Sequence, residues 1–258
     1  MQGGNVWAEG RGDSTRANSH RGPRALAFSC SPRGRRGATE LVLRSFIRGF
    51  EESGGVARLL NPYELNIEPC RGCFACWTRT RGRCVIDDDM ARVLDGIQNA
   101  DAIILATPVY HFTFSEGMKR LLERTMPLLE PRVQLSPDGR TRHRRLGPRG
   151  QWAVLIATCG LPELEVFDSL LLAFREICDM MEWNLRAVVL RTMAGLLLSK
   201  DERHRDKIEA YLQLVRSAGK KVAGGEVLES GFRAHLEAEL LPREQYLEAT
   251  NRFLGLSP

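Results

Sequence analysis

The stretch ALAFSCSPRGRRGAT, residues 25–39, contains a strand, a loop and the first turn of a helix in immediate succession. Residues 25–30 are apolar except for Ser29 and have the pattern of a buried β-strand. A polar, glycine-containing loop follows. From Thr39 the apolar residues recur at helical spacing until the glycine pair at positions 54 and 55. This strand–loop–helix succession is the building unit of a parallel α/β sheet, and it sets the fold class.

Four more apolar runs of strand length follow along the chain. They are residues 56–60, 102–107, 152–158 and 185–190. Helical patterns separate them and continue to the end, at residues 90–97, 115–129, 166–181, 205–223, 233–240 and 243–254. Strands that alternate with helices predict a doubly wound, five-stranded parallel sheet within a three-layer α/β/α architecture.

Chain length and composition limit the possible organisation. The 258 residues are enough for one large α/β domain, with 43% hydrophobic and 27% charged residues. Residues 1–22 are polar and predict a disordered extension, which leaves residues 23–258 as the folded domain. The arginine-rich residues 131–150 interrupt the alternation and predict a loop or a hairpin.

The expected compartment is the cytoplasm. No run approaches the roughly 20 apolar residues of a membrane helix, and the N-terminus lacks the apolar core of a signal peptide. The net charge of +5 is mild, and the arginine-rich segments lie in predicted loops and the N-terminal tail rather than on a basic helix. We therefore expect neither a membrane nor a nucleic acid as a partner.

Ligands of doubly wound sheets bind beyond the carboxyl ends of the strands. The loops at these ends are residues 31–39, 107–113 and 158–163. The first loop suits a phosphate group, because a helix N-terminus offers free backbone N–H groups and a partial positive charge. Ser31 and Thr39 add hydroxyls, Arg33 adds a guanidinium, and Gly37 permits close approach. The alternative is an ordinary solvated turn.

The other two loops suit a flat ring. The sequence TPVYHF, residues 107–112, ends the third strand with an aromatic side chain and two hydrogen-bonding groups. In the third loop, Gly160 allows backbone amides to approach a ring, and Cys159 is either a small core residue or a reactive thiol. The alternatives for the second loop are a Tyr110 that only packs and a surface histidine at His111.

Four of the seven cysteines lie close together, at Cys70, Cys73, Cys76 and Cys84. An odd number of cysteines in a chain expected in the cytoplasm favours metal binding or redox chemistry over structural disulfides. Two successive spacings of two residues favour a 4Fe-4S cluster over a four-cysteine zinc site. The third possibility is a set of reduced thiols, or a labile disulfide, that only shapes the loop. Cys30 and Cys178 are predicted core residues.

Several of these motifs resemble one group of known proteins. The Ser31-Pro32-Arg33 loop resembles the phosphate loop of NADPH-dependent FMN reductases. The segment from Cys70 to Met90 is similar to the compact cysteine loop of iron–sulfur flavoproteins. Further similarity to this family lies in residues 107–110 with Lys119 and Arg124 downstream, in residues 158–163, and around Tyr246 and Asn251.

The resemblance implies a flavodoxin-like fold that binds FMN without a covalent bond, usually as a homodimer or homotetramer. The FMN phosphate would be held by Ser31, Arg33, Gly37 and Thr39. The flavin would be lined by Pro108, Val109, Tyr110, His111, Cys159 and Gly160. The cluster ligands would be Cys70, Cys73, Cys76 and Cys84. Two positions depart from the family pattern, Ala38 in place of Asn and Glu123 in place of Asp.

The resemblance also implies an FMN-dependent NAD(P)H oxidoreductase that passes electrons through flavin to a small-molecule or redox-protein acceptor. No side chain is singled out as an acid or base catalyst. One alternative is an iron–sulfur flavoprotein that carries electrons with a ferredoxin-like partner. Another is a flavin-free or zinc-bearing binding module, since fold alone does not determine function.

Overall fold

The computed structural model describes residues 22–136, 139–148 and 150–256, and the predicted extension up to residue 21 lies outside them. The strands are β1 (Arg24–Ser29), β2 (Val56–Leu60), β3 (Ala102–Pro108), β4 (Leu129–Leu135), β5 (Thr141–Arg145), β6 (Trp152–Thr158) and β7 (Asn184–Arg191). The α-helices are α1 (Ala38–Glu52), α2 (Ala75–Thr78), α3 (Met90–Gln98), α4 (Glu116–Glu123), α5 (Asp168–Met180), α6 (Glu202–Ala223), α7 (Ser230–Glu237) and α8 (Arg243–Phe253).

The main sheet has five strands in the order β2-β1-β3-β6-β7. Every neighbouring pair is parallel. This is the flavodoxin-like arrangement, and it confirms the predicted doubly wound sheet. The direction of winding reverses between β1 and β3, where the loops after neighbouring strands leave toward opposite faces and open a crevice.

Helices cover both faces of the sheet. Alternate residues of β1 enter different cores: Ala25 and Ala27 pack with α1 and α6, whereas Leu26 and Phe28 pack with α3, α4 and α5. Every residue of β3 and β6 is buried, because these strands are covered on both sides. The three-layer architecture is therefore confirmed. Cys30 and Cys178 are buried as predicted, and burial raises the pKa of Cys178 to about 12.

Helices α1 and α6 pack with their backbones in close approach. A Cβ atom on Gly219 would lie 2.0 Å from the carbonyl oxygen of Phe46. A Cβ atom on Gly49 would lie 1.8 Å from the carbonyl oxygen of Arg216. Glycine at both positions therefore allows α1 and α6 to pack in close contact on the same face of the sheet.

The prediction of one helix over residues 115–129 is wrong after Glu123, where α4 ends. A 3-10 turn at Met126–Leu128 follows, because Pro127 lacks the N–H that a continuing helix needs. The predicted hairpin is present in the described residues and begins earlier than expected, since β4 starts at Leu129 and pairs antiparallel with β5.

The remaining helices agree with the sequence patterns, except that α7 lies about three residues earlier than predicted. Some short elements were not predicted, among them the 3-10 turn at Gly34–Arg36, the helix α2 within the cysteine segment and the 3-10 turn at Ala194–Leu198. In the part of the chain that the structure describes, no helix combines the length and hydrophobicity needed to cross a bilayer.

Candidate functional site

The loop between β1 and α1 presents a helix N-terminus without a side-chain cap. Gly37 is the N-cap of α1, and among the described residues no side chain accepts a hydrogen bond there. A Cβ atom on Gly37 would lie 3.0 Å from Ser31 Oγ and 3.1 Å from Arg33 Cβ, so a side chain would fill the space in front of the helix. Free N–H groups beside a glycine cradle fit an anion such as a phosphate.

The other predicted phosphate residues lie around this N-terminus. Ser31 is buried, and its Oγ accepts a hydrogen bond from the backbone N–H of Arg33 at 3.3 Å. Arg33 is exposed. Thr39 is buried, and its hydroxyl lies 2.7 Å from that of Thr158, the last residue of β6. One hydroxyl of this pair donates to the other, which leaves one proton available to a ligand.

Hydrogen bonds fix the three strand-end loops relative to one another. The backbone N–H of Cys30 donates to the carbonyl of Ala106 at 2.8 Å, and Ser115 Oγ donates to the carbonyl of Cys30 at 2.5 Å. The backbone N–H of Val109 donates to the carbonyl of Thr158 at 2.8 Å. The loops after β1, β3 and β6 therefore form one rigid edge.

The loop after β3 turns sharply through strained backbone. His111 and Phe112 have φ values of 47° and 60°, a left-handed conformation that costs a non-glycine residue roughly 1–2 kcal/mol. Reciprocal backbone hydrogen bonds between Tyr110 and Thr113 close the turn. The side chains of Tyr110 and Phe112 are left exposed beyond the buried Pro108. Strain of this kind concentrates at binding and catalytic sites.

The loop after β6 meets the C-terminal helix. Cys159 is buried, and its Sγ accepts the backbone N–H of Leu161 at 3.5 Å. Gly160 is exposed, and its carbonyl accepts a 2.6 Å hydrogen bond from the hydroxyl of Tyr246 in α8. Burial raises the pKa of Tyr246, which keeps this hydroxyl a donor. The sequence signalled Tyr246 only through similarity in the tail.

A cavity of about 430 Å³ lies between Arg33, the 3-10 turn Ala194–Leu198 and α8. Its polar lining includes Ser199 and His204, whose Oγ and Nδ1 are 3.2 Å apart. Sequence reasoning missed this cavity, because its walls come from three distant segments with no shared motif. Arg33 is the residue that connects it to the loop between β1 and α1.

The four clustered cysteines border a second cavity of about 340 Å³. Cys70 and Cys73 are exposed, whereas Cys76 and Cys84 are half-buried. Burial, followed by the neighbouring Cys84, raises the pKa of Cys76, so these thiols lie within electrostatic range of each other. Within the described ranges, no three Cys, His, Asp or Glu side chains already stand close enough to hold a metal ion.

A buried ion pair anchors this cysteine segment. Arg124, at the C-terminal end of α4, donates to the two carboxylate oxygens of Asp88 at 2.7 and 2.9 Å, with both side chains at most 1% exposed. The same guanidinium donates to the carbonyl of Glu68 at 2.5 Å. Arg124 therefore joins the backbone just before Cys70 to the side chain just after Cys84.

Comparison with known proteins assigns one region of the chain to a family. Residues 23–148 match the family described as NADPH-dependent FMN reductase. This region belongs to that FMN-binding family. The family resemblance expected from the sequence is therefore confirmed.

The curated relatives include iron–sulfur flavoproteins of archaea. One from Methanocaldococcus jannaschii is 33% identical over 105 residues, which cover 41% of this chain and 53% of the relative. One from Archaeoglobus fulgidus is 32% identical over 100 residues, which cover 39% and 47%. The chain thus spans about half the length of the curated relatives it matches.

Solved structures share the fold at low sequence identity. An FMN-dependent NADH-azoreductase from Bacillus anthracis, in complex with FMN, aligns with a TM-score of 0.58 and 12% identity, over 78% of this chain and 99% of that one. An NAD(P)H:quinone oxidoreductase from Methanothermobacter marburgensis aligns with a TM-score of 0.54 and 16% identity, over 78% and 97%. These similarities support the flavodoxin-like fold.

Proposed function

We propose that this chain is an FMN-dependent oxidoreductase that takes electrons from NAD(P)H and passes them to a small-molecule or redox-protein acceptor. The observation that carries the proposal is the uncapped N-terminus of α1, with its cradle at Gly37, at the point where the winding of the sheet reverses. Membership of residues 23–148 in an FMN-binding family agrees with this position.

Each strand-end loop has a separate task in this proposal. The first turn of α1, with Ser31, Arg33 and Thr39, binds the phosphate through backbone N–H groups, hydroxyls and a guanidinium. The strained loop after β3, residues 108–111, lines one side of the flavin ring. Cys159 and Gly160 line another side of the ring. An added Cβ on Gly160 would meet no described atom within 4 Å.

Bound FMN would supply the hydride and electron transfer. The residues of the chain position the cofactor and keep one face accessible to a nicotinamide. Tyr110 and Phe112 are 44% and 57% exposed, so the edge of the site is open to a second planar molecule. No acid or base side chain is assigned to the reaction.

Titration of the purified chain with FMN tests the cofactor site. We expect one FMN per chain, and we expect Gly37→Ala to weaken binding about tenfold, equivalent to about 1.4 kcal/mol. Gly231→Ala is the matched control, because a Cβ there meets no described atom within 4 Å. A wild-type chain that binds no FMN, or equal affinities for the two variants, would count against the proposed phosphate site.

A second candidate function is that of an iron–sulfur flavoprotein that carries electrons with a redox-protein partner. The observation that favours it is the single cavity bordered by all four clustered cysteines. A cysteine-only donor set fits a 4Fe-4S cluster. The cysteine segment also carries exposed arginines that would complement an acidic partner; they are Arg71, Arg79, Arg81 and Arg83.

Metal analysis after anaerobic reconstitution separates the possibilities. About four irons per chain, lost in Cys73→Ser, would support the cluster. One zinc per chain would support the zinc-bearing alternative. If the wild-type chain binds neither metal, the cysteines are thiols that only shape the loop. That result would rule out the electron-carrier candidate.

The proposal includes a homodimer or homotetramer. The end of α8 exposes the apolar side chains Phe253, Leu254 and Leu256, and a second copy would remove them from water. Light scattering of the purified chain measures the assembly directly. A monomer at micromolar concentration would contradict this part of the proposal.

A further inference from the structure

The hydrogen bonds of Arg124 to Asp88 and Glu68 use three of the five N–H groups of its guanidinium. Its two terminal nitrogens donate to Asp88 and to the carbonyl of Glu68. Its third nitrogen, Nε, is buried and has no hydrogen-bond partner within the described residues. A buried donor without an acceptor is destabilising, so an acceptor at this position would stabilise the site.

The free N–H group belongs to a residue that borders the four-cysteine cavity. Arg124 lines this cavity together with Cys84 and the other three clustered cysteines. Burial alone would lower the pKa of Arg124, but the hydrogen bonds and charge of Asp88, with a smaller contribution from Cys84, raise it. Arg124 and Cys84 are therefore neighbours at the edge of this cavity.

The charges explain what this N–H group would contribute. Asp88 already neutralises the positive charge of Arg124 within a pair that is at most 1% exposed. The Nε–H group would therefore offer a fixed dipole to a sulfur atom in the cavity, with little added net charge. Hydrogen bonds to thiolate or sulfide sulfur stabilise the more negative, reduced form of a cluster and raise its reduction potential.

We propose that Arg124 is a positioning residue of the four-cysteine site, which closes the cysteine segment through Glu68 and Asp88 and offers its Nε–H to the sulfur atoms of a cluster bound there. This inference rests on the proposed iron–sulfur cluster and does not depend on the flavin site. Lysine at position 124 would keep a positive charge for Asp88 but would lose the Nε donor and the two-pronged geometry.

The test compares wild type, Arg124→Lys and Arg120→Lys after anaerobic iron and sulfide reconstitution. Arg120 is the matched control, because it lies one turn earlier in the same helix, pairs with Glu116, and is not among the residues that line the cavity. The measurements are iron content, the midpoint potential of the cluster, and the rate of iron loss in air. FMN binding and far-ultraviolet circular dichroism report whether each variant folds.

We expect Arg124→Lys to have a more negative midpoint potential and to lose iron in air at least several-fold faster, with FMN binding unchanged. Arg120→Lys should match the wild type. An unchanged potential and an unchanged rate of iron loss in Arg124→Lys would overturn the inference. A wild-type chain that takes up no iron would overturn it together with the cluster, while FMN binding would still test the flavin proposal separately.

A measurement on the wild type covers the case in which Arg124→Lys fails to fold. Pulsed electron paramagnetic resonance of the reduced cluster, in protein labelled with ¹⁵N-arginine, detects a nitrogen hydrogen-bonded to a cluster ligand. We expect one such coupling in the wild type and in Arg120→Lys. Its absence from the wild type would contradict the inference without any variant.

Discussion

The hydroxyl oxygens of Thr39 and Thr158 lie 2.7 Å apart, although 119 residues separate the two threonines in the chain. Thr39 belongs to the first turn of α1, and Thr158 is the last residue of β6. Both are buried. Their hydrogen bond therefore holds the helix N-terminus, the proposed phosphate site, against the loop that the flavin ring would contact.

Substitution of each threonine distinguishes its contribution to stability from its contribution to FMN binding. We expect Thr158→Val and Thr39→Val each to lower the free energy of unfolding of the FMN-free chain by about 1–3 kcal/mol, since each leaves a buried hydroxyl unpaired. Only Thr39→Val should also weaken FMN binding, by about tenfold, because it removes the proposed phosphate ligand. Urea denaturation and FMN titration measure the two effects. Equal loss of FMN affinity in both variants would argue against direct phosphate binding by Thr39.

The hydrogen bond from Tyr246 to Gly160 predicts a link between α8 and the flavin loop. Tyr246→Phe removes the 2.6 Å hydrogen bond and keeps the buried ring. We expect a loss of about 0.5–1.5 kcal/mol in the free energy of unfolding. Faster amide hydrogen exchange should appear at residues 159–161 as well as in α8. Exchange that increases in α8 alone would contradict the proposed coupling.

The Arg124–Asp88 pair predicts both a stability loss and a pH dependence. Asp88→Asn leaves a buried guanidinium without its counter-charge and should cost about 3–5 kcal/mol. Burial acts to raise the pKa of Asp88, but hydrogen bonds from Arg124 and from two backbone N–H groups bring it below its ordinary value. The stabilisation is then complete above the ordinary aspartate pKa of about 3.9 and is lost as the pH falls through the lowered value.

Urea denaturation between pH 3 and pH 7 measures this dependence. The wild-type chain should lose stability below about pH 4, and Asp88→Asn should show a shallower loss over the same interval. Arg92→Lys is a suitable control, because Arg92 forms an exposed pair with Asp89 beside the same segment. Parallel pH profiles for wild type and Asp88→Asn would contradict the assignment.

The close approach of α1 and α6 predicts an effect at a position far from any ligand. Gly219→Ala places a methyl group 2.0 Å from the carbonyl oxygen of Phe46, which forces the helices apart. We expect a loss of about 1–3 kcal/mol or more in the free energy of unfolding. Gly231→Ala, in open surroundings, should be nearly neutral. Thermal denaturation of both variants measures the two stability changes. A Gly219→Ala variant as stable as the wild type would contradict the close packing of α1 and α6.

The sheet and its two helical layers follow from patterns that are local in the sequence. The buried strands β3 and β6 are short apolar runs, and the helices show one apolar face each, so periodicity is sufficient to predict them. The sequence pattern did not predict that α4 ends at Glu123, although Pro127 follows, because the apolar spacing continues past Glu123. The apolar spacing favours a continuous helix, whereas proline lacks the N–H that a continuing helix needs.

The contacts that assemble the candidate sites depend on the tertiary fold. The sequence names Thr39 and Arg124, but Thr39 pairs with Thr158, 119 residues away, and Arg124 pairs with Asp88, 36 residues away. The spacing of the cysteines predicted that they would lie near one another, and the structure places all four around one cavity. Their role as metal ligands stays a prediction, because spacing fixes proximity and not the bound metal.

The most direct test of the central claim is anaerobic mixing of the FMN-loaded chain with NADPH and, separately, with NADH. We expect at least one nicotinamide to bleach the blue absorption band of the bound flavin, and the band to return when an oxidant is added. Retention of the oxidised flavin band with both nucleotides in excess would contradict the proposed oxidoreductase.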